Sequence, residues 1–268
     1  MENEKEVERL SIKVDSDKWV EKYIQPLAKN VDSITIIDLG CGPGTIACSV
    51  ARNYPDSTIY AIDNSKTKID EIQKNINSYK LNNIYGMLSD AYSLPFNENT
   101  FDIVYCRFLL EYLDNPNEIL KEMFIVTKTN GTVLIQDLDG QLLWHYPIDN
   151  ELQNKIVKVV NYLNKTTGFD QFIGRKLYNL FFTSRFYDID IKIETYHLFA
   201  GKIDEFNHKI WDLKLDIAMP KIIEVLGEFE ALSFKKQMLE YFLREDTLTY
   251  STLFTVTGKK PCYDNIEL

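Results

Sequence analysis

Residues 34–45, Ile34-Thr35-Ile36-Ile37-Asp38-Leu39-Gly40-Cys41-Gly42-Pro43-Gly44-Thr45, run an apolar strand into a glycine turn that opens a helix. Ile34, Ile36 and Ile37 read as a buried strand, and residues 46–51 begin a helix of small residues able to pack close to a sheet. The turn therefore sits at a strand's carboxyl end. Gly40, Gly42 and Gly44 permit backbone conformations that a Cβ would block, so a ligand can lie against main-chain N–H groups at a helix N-terminus. The spacing discriminates between ligands. In a G-x-G-x-x-G dinucleotide turn counted from Gly40, the third glycine falls on Thr45, and no Gly-Lys-Ser/Thr follows to make a P-loop.

Outward from this turn, strand and helix patterns alternate. Strands begin near residues 34, 58, 84, 101 and 132. Ile69, Ile72, Ile76 and Tyr79 form one helical stripe, and Ile119, Leu120, Met123 and Phe124 form another after Asn115-Pro116. This alternation predicts an α/β fold with a mainly parallel sheet, whose ligands bind at the strands' carboxyl ends.

Five segments along these strands resemble the class I S-adenosylmethionine-dependent methyltransferases, the UbiE-like small-molecule enzymes in particular. Asp38 to Thr45 is similar to their first motif, and Asp63 ends the second strand where they carry an acidic residue for the ribose. Ser89-Asp90-Ala91 with Leu94-Pro95-Phe96 resembles "DAxxLPF", and residues 101–113 resemble "FDxVxxxxxLEHL". Residues 128–132 stand where the family has "KPGG"; the proline is missing, but Asn130-Gly131 still supplies a tight turn. The resemblance implies a Rossmann-like, seven-stranded sheet with helices on both faces. It also implies S-adenosyl-L-methionine as cofactor, S-adenosyl-L-homocysteine as product, and a small-molecule acceptor methylated on O, N or C.

The implied cofactor set is Asp38, Gly40, Cys41, Gly42, Asp63, Asn64, Asp90, Ala91 and Arg107. A carboxylate at Asp63 accepts from two vicinal hydroxyls, Asp90 accepts from an adenine amine, and Asp38 favours an ammonium. His145, in Leu143-Trp144-His145-Tyr146-Pro147, is the candidate general base, because histidine titrates near neutrality. Its alternative role is to order the turn of residues 137–139. Tyr112, Trp144 and Tyr146 are candidate acceptor-binding residues, whereas His197 and His208 read as structural. Cys41 lies at a helix N-terminus, but the family uses the backbone there.

The organisation read from the pattern is a lid helix in 1–30, a cofactor-binding core in 31–140, cap insertions with the sixth strand in 141–246, and the last strand with a tail in 247–268. Residues 1–15 read as loosely ordered. The insertions, with Leu152, Ile156, Val159, Val160 and Leu163 at helical spacing, are expected to form a helical cap over the cofactor. Forty acidic against 30 basic residues give a net charge of −10, which repels a phosphate backbone and argues against nucleic acid as substrate. The 4 cysteines form no C-x-x-C and no metal cluster, so no metal is expected. No apolar run approaches the roughly 18 residues of a membrane span, and the first residues lack signal character, so the expected location is cytoplasmic. Competing readings are a protein methyltransferase and a non-catalytic cofactor-binding protein.

Overall fold

The structure, a computed structural model, describes residues 15–28 and 33–262. Residues 1–14, with most of the stretch read as loosely ordered, lie outside the described residues, as does the end of the tail. Strands β1 (Thr35–Leu39), β2 (Thr58–Asp63), β3 (Ile84–Leu88), β4 (Phe101–Arg107), β5 (Thr127–Tyr146), β6 (Tyr187–Ala200) and β7 (Leu248–Lys259) form a seven-stranded sheet in the order β3-β2-β1-β4-β5-β7-β6. The first five pair in parallel, and β7 runs antiparallel between β5 and β6. The order reverses at β1 and β4, which opens a crevice beyond their carboxyl ends.

Alternation along the strands creates two cores. Ile36, Ile59, Ile103 and Tyr105 face α1 (Ser16–Trp19), α2 (Thr45–Asn53) and α3 (Lys66–Tyr79). Ile37, Leu39, Val104 and Ile135 face α4 (Pro116–Val126) and α6 (Ile173–Thr183). Each such side chain removed from water contributes about 1.5–3 kcal/mol before entropy is counted. In the expected lid helix, Trp19, Tyr23 and Ile24 are core residues, and Trp19 donates to Gln136 Oε1 at 2.9 Å.

The fifth strand departs from expectation. Asp137 to Asp139 read as a turn, yet β5 continues to Tyr146 because β7 pairs with it along its length, from Thr132↔Lys259 to Tyr146↔Leu248. The ladder is interrupted only between Asp139 and Trp144, where Gly140 and Leu142 take positive φ of 74° and 65°. A Cβ on Gly140 would lie 1.7 Å from Trp144 Nε1, so the glycine gives the indole its place.

The insertions form a third core rather than a lining for the crevice. Helices α5 (Asn150–Thr167), α7 (Glu205–Leu226) and α8 (Glu228–Tyr241) bury Ile156, Trp211, Phe234 and Met238 against one another. The prolonged β5–β7 ladder reaches this bundle, and Leu142 and Leu143 of β5 pack against it.

Candidate functional site

The crevice holds a cleft of about 550 Å³. The glycine turn forms its floor: Gly40 and Gly42 have φ of 70° and 57°, and a Cβ on Gly40 would come within 2.8 Å of Leu109 Cδ1. All nine residues expected to hold a cofactor line this cleft: Asp38 from β1, Gly40, Cys41 and Gly42 from the turn, Asp63 at the end of β2 with Asn64 after it, Asp90 and Ala91 beyond β3, and Arg107 at the end of β4. Tyr112 lines it too.

Asp63 ties the two sides together. Its Oδ2 accepts from Gly42 N–H at 3.0 Å and its Oδ1 from Ser65 N–H at 2.9 Å. Lys68 Nζ lies 3.5 Å from Oδ2. Each carboxylate oxygen retains acceptor capacity for a hydroxyl in the cleft. Asp90 Oδ1 accepts from Tyr92 N–H at 3.0 Å, holding the turn after β3. Arg107 donates through Nε to Gln136 Oε1 at 2.9 Å, and its guanidinium carbon lies 3.9 Å from the centroid of the Phe108 ring. The same Gln136 oxygen receives Trp19, so one buried amide fixes both groups. Tyr112 sits on a short turn anchored below by Asp137, whose Oδ2 accepts from Glu111 N–H at 3.2 Å.

Burial pushes the Asp38 carboxyl up to about 7, with the nearby Asp63 carboxylate adding to the rise. The Cys41 thiol is likewise held well above its ordinary range, by burial and then by Asp38 and Asp63. A thiol kept protonated by two acids is no nucleophile.

His145, Trp144 and Tyr146 are not among the residues lining the cleft. His145 was expected just past the fifth strand; it lies within β5 instead, buried against Tyr241 and Phe242. Its Nε2 donates to Leu142 O at 3.2 Å, which leaves Nδ1 to accept from Thr249 Oγ1 at 2.9 Å. Burial lowers its pKa to about 4. Both ring nitrogens thus hold the β5–β7 arm together, and Tyr146 is 76% exposed. His145→Gln is expected to cost about 1–3 kcal/mol of stability by denaturant unfolding while leaving cofactor affinity unchanged. Because the ring titrates lower folded than unfolded, the wild-type protein loses stability as pH falls from about 6.5 toward 4, and the variant loses less.

Several cleft residues escaped the sequence reading, Ser65, Lys68, Tyr92 and Phe108 among them. Lys68 carries its signal in the helical spacing after Asp63. Phe108 reaches its place through a φ of 54°, for which a phenylalanine gives no sequence signal.

Comparison with known proteins decides the family. The profile of the methyltransferase domain matches residues 30–195. The chain belongs to the methyltransferase-domain family. It is 32% identical over 135 residues to an uncharacterised methyltransferase of Schizosaccharomyces pombe, covering 48% of each chain. It is 31% identical over 120 residues to the ubiquinone/menaquinone biosynthesis C-methyltransferase UbiE of Desulfotalea psychrophila, covering 45% of this chain and 47% of that one. The chain thus spans about half the length of the curated relatives it matches. Among solved structures, Haemonchus contortus phosphoethanolamine N-methyltransferase 2 in complex with S-adenosyl-L-methionine shares the fold. Its TM-score is 0.58 at 14% identity, over 91% of this chain and 53% of that one. Among the described residues no helix is long and apolar enough to cross a membrane.

Proposed function

We propose that this protein is an S-adenosylmethionine-dependent methyltransferase acting on a small molecule. The observation that carries the reading is the meeting, in one cleft, of the positive-φ glycine turn, Asp63, and the Asp90-Ala91 turn. The residues present fit that cofactor. Gly40 and Gly42 bring backbone to the cleft, Asp63 presents acceptors for a ribose diol, and the buried Asp38 suits the ammonium of the methionine portion.

When bound, S-adenosylmethionine supplies a methyl group made electrophilic by its sulfonium, with the leaving group built in. The chain's own residues orient and enclose. The Gly40–Gly42 backbone and Asp63 fix the nucleoside, Asp90 and the Ala91 backbone meet the adenine, and Arg107 with Phe108 bounds the cleft toward the acceptor. Residues 31–140 take the cofactor and 141–246 the acceptor in this reading. Holding two reactants at near-attack distance is worth several powers of ten in rate, so positioning accounts for much of the catalysis.

Asp38 gives the reading a pH signature. In the ligand-free protein its carboxyl is protonated below about 7, and a ligand ammonium favours the ionised form. Binding at pH about 6 therefore releases a proton, and affinity rises as pH is raised through about 7. Calorimetry in buffers of different ionisation enthalpy measures the release, which Asp38→Asn abolishes. An affinity independent of pH in the wild type contradicts the role of Asp38.

The activity is tested by incubating the protein with a metabolite extract and S-adenosylmethionine labelled in the methyl group. The expected result is one labelled small molecule by mass spectrometry. Label appearing on proteins instead supports a protein methyltransferase, and cofactor binding without label transfer supports a non-catalytic binder.

A further inference from the structure

Strand β6 is the last strand of the sheet, and among the described residues it pairs with β7 alone. Such an edge presents a row of backbone N–H and C=O groups able to take another strand. Register shifts between Tyr187 and Asp190 and between Tyr196 and Phe199 bracket a regular stretch, residues 190–196, whose middle residue is Ile193.

The two faces of this stretch differ. Ile191 and Ile193 lie opposite Val256 and Phe254 of β7, so they share the face that α6 covers, yet they are 39% and 58% exposed. A Cβ on Gly174 of α6 would meet Phe254 at 2.8 Å, which places that helix over β7. Tyr178 and Phe182, four and eight residues after Gly174, are exposed, with their rings stacked 6.5 Å apart. The other face is charged. Glu194 accepts from Tyr23 Oη at 2.6 Å and from Lys22, which fixes its carboxylate, and Lys192 stands two residues before it.

We infer that β6 is a dimerisation edge, to which a second copy of this chain adds its own β6 antiparallel, about a two-fold axis through Ile193. The stretch is self-complementary about that axis. Lys192 of each copy meets Glu194 of the other, Ile191 meets Thr195, Asp190 meets Tyr196, and Ile193 meets itself. No like charges are opposed. An axis at Lys192 sets that lysine on itself and Asp190 on Glu194, and an axis at Ile191 sets Glu194 on Asp188, which lies in the bulge with a φ of 51°. Like charges directly opposite destabilise a ladder, so charge selects the register centred on Ile193. The axis stands normal to the sheet, and both α6 helices therefore come to the same face. Their Tyr178 and Phe182 extend the apolar contact of the isoleucines, as aromatic side chains do in the core of an interface.

The test is sedimentation velocity of the full chain from about 1 to 200 µM, where monomer should give way to dimer. Ile193→Arg, at an exposed position, sets two cations on the axis and should raise the dissociation constant at least about tenfold, with secondary structure intact by circular dichroism. Lys192→Glu and Glu194→Lys each oppose like charges twice, so each alone should be monomeric. An equimolar mixture of the two should dimerise, because every opposed pair is then of opposite sign. Glu194→Lys also gives up Lys22 and Tyr23, so a further variant keeps the test open should it fail to fold: a short bismaleimide should link Ile193→Cys into a dimer and leave the wild type unlinked. A wild type that stays monomeric throughout, a dimer indifferent to Ile193→Arg, folded charge variants that do not pair when mixed, or Ile193→Cys that does not cross-link each overturns the inference.

Discussion

Asp63→Ala is expected to weaken cofactor binding by about 1.5–3 kcal/mol, which is roughly 10- to 150-fold in Kd. The carboxylate acts twice. It offers oxygens to a ribose diol, and it accepts from Gly42 N–H at 3.0 Å and Ser65 N–H at 2.9 Å, so that it holds the two loops at one spacing. Its removal therefore also leaves two N–H groups without their acceptor, and unfolding free energy should drop by about 1–3 kcal/mol. Asp63→Asn keeps one acceptor oxygen and should fall between the wild type and alanine in affinity. Calorimetry with S-adenosylhomocysteine measures the first effect and urea unfolding the second. Unchanged affinity in the alanine variant would reduce Asp63 to a loop tie.

Gly44→Val is expected to cost more, and to cost it in folding. Gly44 caps α2 with a φ of +76°, and a Cβ there would stand 2.2 Å from Ile72 Cδ1 and Cγ1 in the core. Left-handed strain in a β-branched residue and overpacking against α3 each cost about 1–3 kcal/mol. Together they consume much of the stability of a typical domain. The measurement is the thermal midpoint of the purified variant. A midpoint within a few degrees of wild type would mean that the turn is not packed as described.

The half of the molecule proposed to bind the cofactor is legible in the sequence because its signals are local. A glycine turn after an apolar strand, an acid at a strand's end and a 3.6-residue stripe each declare themselves within a few positions. Asp38, Asp63, Asp90 and Arg107 accordingly all line the cleft. The place of His145 within β5 is not legible in the sequence because its environment is made at a distance: the partner that extends β5 past Asp137 is β7, and Thr249 is 104 residues away. The bulge at His197 escapes the sequence for the same reason, since it exists only in pairing with β7. The insertions read correctly as helical, since Ile156, Val159 and Val160 repeat at helical spacing. Where the bundle sits is decided by the length of the β5–β7 ladder, which no local pattern encodes.

The most direct test of the central claim is calorimetric titration of the full chain with S-adenosylhomocysteine, followed by competition with S-adenosylmethionine and by the same titration with NAD. The prediction is saturable binding at one site, displaced by S-adenosylmethionine, weakened at least about tenfold in Asp63→Ala, and absent with NAD. Saturable binding of NAD with no heat from either sulfur nucleoside would contradict it.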